Sequence, residues 1–175
     1  MHYSAIKYND IANGPGVRTS LFVSGCTLRC KGCFNYTAWD FHAGKLFTEE
    51  TEQQILESLR PEHITGLTIL GGEPMELSNR QALYPFLRRV RETFPELSIW
   101  MYSGYTWETD HLTRMQEEWP ETRDLLSLLD VIVDGKFDID LYSIRLKFRG
   151  SSNQRIIDVQ RSLAEGSTIL VPEYA

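Results

Sequence analysis

No cysteine occurs outside the eight residues from Cys26 to Cys33, where Cys26, Cys30 and Cys33 stand at C-x₃-C-x₂-C spacing. The chain therefore cannot build a four-cysteine site, and an odd number over such short spans argues against a disulfide framework. Positive charge is also scarce. Lys and Arg number 18 against 24 Asp and Glu, a net charge of −6, so the basic face of a phosphate-backbone binder is missing and nucleic acid is not expected as a partner. No stretch approaches the ~20 apolar residues of a membrane span. The longest apolar region, Leu125 to Val133, is broken by Ser127 and Asp130, and no membrane association is expected. Met1-His2-Tyr3-Ser4-Ala5 lacks the charged start and apolar run of a secretion signal, so the free thiols are expected in a reducing cytoplasm. Repeats, low-complexity tracts and linkers are absent too. With 42% hydrophobic residues, residues 1–175 are expected to form a single domain around one core.

Thiolates are soft ligands, and three on one tight turn can hold zinc or an iron–sulfur cluster. A closed zinc site would need a fourth ligand nearby, and His42 lies nine residues beyond Cys33, outside the usual spacing. A cubane cluster has four irons, each commonly taking a cysteine. Three thiols leave one iron open to some other ligand, and an open iron is a place to do chemistry.

Asn13-Gly14-Pro15-Gly16 marks a turn, and Thr19 to Ser24 reads as the first strand, ended by Gly25. Thr48 with Glu49 and Glu50 opens a helix whose apolar positions are Ile55, Leu56 and Leu59, with Pro61 as its stop. Gly66 to Leu70 is a second strand, running straight into Gly71-Gly72-Glu73-Pro74. A second helix is expected near Ser78, with Gln81 completing a capping box; Pro85 is awkward within it, tolerable if the helix starts late and otherwise a kink. Ser98 to Tyr102 and Val131 to Val133 are further strands, separated by helical patterns from Trp107 and around Arg123 to Leu129. Ile144 to Phe148 reads as a short strand, followed by the polar stretch Arg149 to Arg155 and an apolar run of ambiguous type. Strands alternating with helices predict right-handed βαβ units and a mostly parallel sheet. The cysteine, Gly-Gly-Glu-Pro, Ser103-Gly104 and Asp134-Gly135-Lys136 loops each follow a strand directly. In a parallel α/β sheet such loops share one edge, where ligands bind.

Together, Asn13-Gly14-Pro15-Gly16-Val17-Arg18, the three cysteines and Gly71-Gly72-Glu73-Pro74 resemble the glycyl-radical-enzyme activases of the radical S-adenosylmethionine (SAM) superfamily. Ser103-Gly104-Tyr105, Val133-Asp134-Gly135-Lys136-Phe137 and Arg149-Gly150-Ser151-Ser152-Asn153-Gln154 point to the branch serving anaerobic ribonucleoside-triphosphate reductase. The resemblance runs from about residue 8 to 155 and leaves 156–175 as an extension.

The resemblance implies an α/β fold, a partial (β/α) barrel of mostly parallel strands of the radical SAM type. It implies a [4Fe–4S] cluster on Cys26, Cys30 and Cys33, whose fourth iron takes the amino and carboxylate groups of SAM. Reductive cleavage of SAM would give a 5′-deoxyadenosyl radical that removes a hydrogen from a glycine of the reductase's glycyl-radical subunit. Gly71 and Gly72 would let backbone approach the SAM ammonium, so a bulky residue at Gly72 is expected to weaken SAM binding at near-normal cluster content. Glu73 would orient that loop or accept a hydrogen bond from the ammonium. Ser103 and Asp134 would contact the sugar and methionine moieties, and Lys136 the carboxylate; capping and surface roles are the alternatives. The superfamily usually has an aromatic residue before the third cysteine. Here it is Gly32, so adenine contacts would come from the backbone of Gly32, Cys33 and Phe34. Gly14, Gly16 and Arg18 are candidates for touching the partner's loop, and a flavodoxin-type protein is the implied electron donor. The histidines His2, His42, His63 and His111 show no ligand spacing; Trp39, Trp100, Trp107 and Trp119 read as core or partner surface. Two other readings stay open: an activase of another glycyl radical enzyme such as pyruvate formate-lyase, and a non-catalytic zinc-stabilised interaction module.

Overall fold

In the computed structural model, which describes residues 1–175, seven strands make one sheet. In chain order they are β1 (His2–Asp10), β2 (Val17–Val23), β3 (Lys45–Leu46), β4 (Ile64–Gly71), β5 (Ser98–Tyr102), β6 (Val131–Asp134) and β7 (Arg155–Asp158). Their spatial order is β3-β1-β2-β4-β5-β6-β7. The middle pairings β2·β4, β4·β5 and β5·β6 are parallel; β1·β2, β1·β3 and β6·β7 are antiparallel. The expected strands are all present in the middle of the sheet. The short strand expected at Ile144 to Phe148 is not. That stretch lies in an irregular segment where Ile144 is 84% exposed and Phe148 has φ +53°, and the last strand is β7 instead.

Side chains alternate across the parallel strands, as the period of two requires. One face carries Leu21, Val23, Leu67, Ile69, Ile99, Met101 and Ile132, all buried in the main core. Against it pack α1 (Glu49–Ser58) through Ile55 and Leu56, and α2 (Leu77–Thr93) through Leu83, Phe86, Leu87 and Val90. Trp107, which opens a π-helical stretch to Arg114, and Met115 of α3 (Met115–Glu118) join the same core. So do Leu125 and Leu126 of α4 (Thr122–Ser127) and Val159 of α5 (Val159–Glu165). Helix α1 begins as its sequence dictates: Thr48 Oγ1 accepts from Thr51 N, and three acids occupy the first turn. Helix α2 does not start with a Ser78–Gln81 box. It starts at Leu77, with no side-chain cap, and retains Pro85. The proline is on the exposed side of the helix, as is Gln81, whose carbonyl loses its helical partner.

The opposite face of the sheet carries Arg18, Ser20, Thr68, Trp100 and Tyr102. Arg18 is fully buried there. Its Nε donates to Thr68 Oγ1 at 2.7 Å, Nη1 to Ser98 Oγ at 2.8 Å and to Pro15 O at 3.3 Å, and Nη2 to Leu67 O and Ser98 O at 2.9 Å. With every donor engaged, this guanidinium ties β2 to β4 and β5 and is not on the surface for a partner loop to touch. Gly14 and Gly16 are packed at the N-terminal end of β2: a side chain at Gly14 would meet Arg18 Cδ at 2.9 Å, and one at Gly16 would run into the Thr65 side chain.

Candidate active site

At the C-terminal ends of the parallel strands lies a cavity of about 640 Å³, a volume ordinary for a small-ligand pocket. Cys26, Leu28, Cys30, Gly32, Cys33 and Phe34 enter it from the loop after β2; Gly71, Gly72 and Glu73 from the loop after β4. Ser103 and Gly104 follow from β5, and Gly135 and Phe137 from β6. The four loops that topology sends to one edge do meet around one space.

The cysteine loop is pinned at both ends. Gly25 N donates to Ala38 O at 2.7 Å and Cys26 N to Trp39 O at 3.2 Å, while Cys33 N closes a turn onto Cys30 O at 3.2 Å. Glu76 clamps the next residue, its Oε1 accepting from Thr27 N at 2.7 Å and Thr27 Oγ1 at 2.6 Å. All three thiols are free; Cys26 is buried, and Cys30 and Cys33 are half-buried. Burial pushes the Cys26 thiol up to about 11, reinforced by Glu73 and Glu76 and opposed by the Leu28 and Arg29 backbone N–H groups. Burial also raises Cys30, against the pull of Lys136. Such thiols ionise when a metal centre takes them as ligands. No three His, Cys, Asp or Glu side chains are gathered as a single metal ion requires. Three free thiols on one loop, lining a cavity with room for a small ligand, are a donor set that fits a cluster with one open iron.

The Gly71-Gly72-Glu73 loop is bound to the strand that feeds the cysteines: Gly72 N donates to Val23 O at 2.7 Å and Glu73 N to Gly25 O at 2.8 Å. A Cβ at Gly72 would lie 2.6 Å from Gly25 O and 2.9 Å from Ala38 O. The glycine is demanded by this backbone contact, whatever ligand approaches it. Gly72→Val is therefore expected to lower cluster content and folded stability together, contrary to the sequence expectation of lost SAM affinity alone. Iron and sulfide analysis beside thermal unfolding checks this; normal cluster content in the variant contradicts it.

Glu73 is 1% exposed and holds two loops: Oε1 accepts from Met75 N at 2.9 Å and Oε2 from Gly104 N at 2.7 Å. Ser103 is buried at the cavity wall, its Oγ accepting from Tyr105 N at 3.2 Å. Phe34 is 88% exposed on the rim, and Gly32, at φ +76°, sits under Ile139. Two candidates stand apart from the cavity. Asp134 is 1% exposed, accepts from Trp107 N at 2.8 Å and pairs with Arg155 at 2.5 Å, so its carboxylate braces the π-helical stretch and β7. Lys136 is exposed and only its backbone is engaged, by Asn153.

Several wall residues went unassigned from sequence: Ala12, Asn13, Leu28, Tyr102, Phe137, Ile139, Tyr142, Leu146 and Phe148. Gln154 also lines the cavity; its Oε1 accepts from Gly150 N and Ser151 N, and its Nε2 donates to Gly135 O. Phe137 and Gln154 stand inside motifs visible in the sequence, which was the only signal for them.

The chain belongs to the 4Fe-4S single cluster domain family, whose profile matches residues 12–157. Among curated proteins it is similar to the anaerobic ribonucleoside-triphosphate reductase-activating protein of Haemophilus influenzae, with 42% identity over 158 residues, 89% of this chain and 97% of the relative. The proteins of that name from Enterobacteria phage T4 and Escherichia coli K12 are each 37% identical over 156 residues, covering 93% and 96% of those relatives and 89% and 88% of this chain.

Proposed function

We propose that this chain is a radical SAM enzyme that generates the glycyl radical of anaerobic ribonucleoside-triphosphate reductase, as the names of its relatives suggest. The carrying observation is the convergence of three free thiols and the Gly71-Gly72-Glu73 loop on one cavity at the C-terminal strand ends. The open α/β sheet is then a partial barrel of the radical SAM type.

In this reading Cys26, Cys30 and Cys33 hold three irons of a [4Fe–4S] cluster and leave the fourth for the methionine end of SAM. When bound and reduced, the cluster supplies the electron that splits SAM into methionine and a 5′-deoxyadenosyl radical. The protein's part is positioning and exclusion of water. Gly71 and Gly72 bring backbone to the SAM ammonium, and Glu73 holds their loop to Ser103-Gly104. The backbone from Gly32 through Cys33 to Phe34 borders the adenine. A glycine loop of the reductase meets the radical from the open side, the electron comes from a flavodoxin-type donor, and the setting is the cytoplasm.

The test is anaerobic. Reconstitution with iron and sulfide, reduction and addition of SAM is expected to yield 5′-deoxyadenosine, and addition of the reductase a glycyl-radical doublet in EPR. A doublet obtained only with pyruvate formate-lyase would reassign the partner. Zinc without iron or acid-labile sulfide would overturn the whole reading.

A further inference from the structure

The chain is acidic overall, yet one face is not. Arg29 and Lys31 project from the cysteine loop, and Lys136, Arg145 and Lys147 from the irregular segment that crosses the cavity mouth; all five are exposed and none forms an ion pair. Elsewhere most arginines reach a carboxylate, Arg60, Arg91 and Arg114 among them. The only acids on the crossing segment are Asp138 and Asp140, and Asp138 is occupied in capping the Asp140 N–H.

The two cationic segments adjoin. A side chain at Gly32 would meet Ile139 Cδ1 at 3.0 Å, Cγ1 at 3.1 Å and Cβ at 3.3 Å. Leu146 and Phe148 turn into the cavity, whereas Arg145 and Lys147 are exposed between and beside them. Exposed Phe34 and Ile144 give the same face apolar tips. Unpaired charge of one sign, on a protein of the other sign, steers an oppositely charged partner to that face and away from the rest.

We propose that this face docks the acidic surface of the protein that delivers single electrons to the cluster. This rests on the function proposed above, which consumes an electron at the cysteines, and the chain carries no second cysteine set to hold another centre. Two of its five cations, Arg29 and Lys31, are on the cysteine loop itself and the other three on the segment beside it, so whatever they hold is brought against the cluster's outer edge. The glycine-bearing loop of the reductase instead has to reach the interior.

Flavodoxin hydroquinone is the probe; it becomes the semiquinone as one electron enters the oxidised cluster. In stopped-flow mixing with the cluster-loaded protein, the second-order rate constant is expected to fall steeply with salt. Arg145→Glu/Lys147→Glu is expected to lower it about tenfold or more at low salt and flatten the salt dependence. Lys31→Glu should act in the same direction. Reduction of the double variant by photoexcited deazaflavin, and its glycyl-radical yield under that reductant, should match the wild type. An unchanged flavodoxin rate overturns the proposal. So does a radical yield that falls under photochemical reduction, which would give the face to the reductase. A chain that takes up no iron and sulfide, seen before any mixing, overturns the functional reading and this inference with it.

Discussion

Alanine at any one of Cys26, Cys30 and Cys33 is expected to lower 5′-deoxyadenosine formation at least about 10³-fold, a loss of ~4 kcal/mol of barrier lowering or more. The three thiols are the whole cysteine complement of the chain, so no neighbour can substitute. A cubane left with two protein ligands should be lost or inert. The fold should survive, because Cys30 and Cys33 are only half-buried and the loop is held by backbone bonds to Ala38 and Trp39 and by the Glu76 clamp on Thr27. Cys26 is the most constrained of the three, being the one that is buried. Iron and acid-labile sulfide per chain, product chromatography and a circular-dichroism melt on each variant check this. Turnover retained in any one of them contradicts the ligand assignment.

How much of this was readable beforehand follows from where the signal lies. The parallel strands β2, β4, β5 and β6 are buried on both faces and therefore announce themselves as runs of apolar and β-branched residues. Their order along the chain sufficed to bring the cysteine, Gly-Gly-Glu-Pro and Ser-Gly loops to one edge. Strand β1 was not legible: His2 to Asp10 mixes half-buried and exposed residues and depends on pairing with β2. Strand β7 was hidden in the apolar run after Arg155, while Ile144 to Phe148 imitated it. Side-chain roles set by distant partners were equally hidden. Arg18 resembled a surface cation until Ser98, 80 residues on, proved to be its acceptor. Asp134 read equally as a ligand or a capping residue, and its partners Trp107 and Arg155, 27 and 21 residues away, were not visible from sequence. Gly72 drew notice as a place for a ligand to approach, whereas the crowding by Gly25 and Ala38 that demands a glycine there belongs to the tertiary structure.

Glu73 provides the second large effect, and it is read through pH. Burial, the dominant influence, pushes this carboxyl up from 4.5 to about 7, against the lowering by the Gly104 and Met75 N–H groups and Ser103. Between pH 4.5 and 7 the folded chain keeps a proton that the unfolded chain has released. Stability contributed by Glu73 is thus fully present below 4.5, falls as pH rises, and is gone above 7. Glu73→Gln cannot titrate. The stability of the wild type minus that of the variant should therefore drop by on the order of 3 kcal/mol from pH 4 to pH 8, measured by urea unfolding of the metal-free chain. Parallel pH curves for the two proteins would contradict it. Glu73→Ala should be worse at every pH, since the Met75 and Gly104 N–H groups would lose their acceptor at about 1–3 kcal/mol each. Because the Gly104 bond joins the loop after β4 to the loop after β5 and the Met75 bond closes the former on itself, removing them loosens the wall between Gly72 and Ser103. SAM affinity should fall in Glu73→Ala even where the cysteines still carry their cluster.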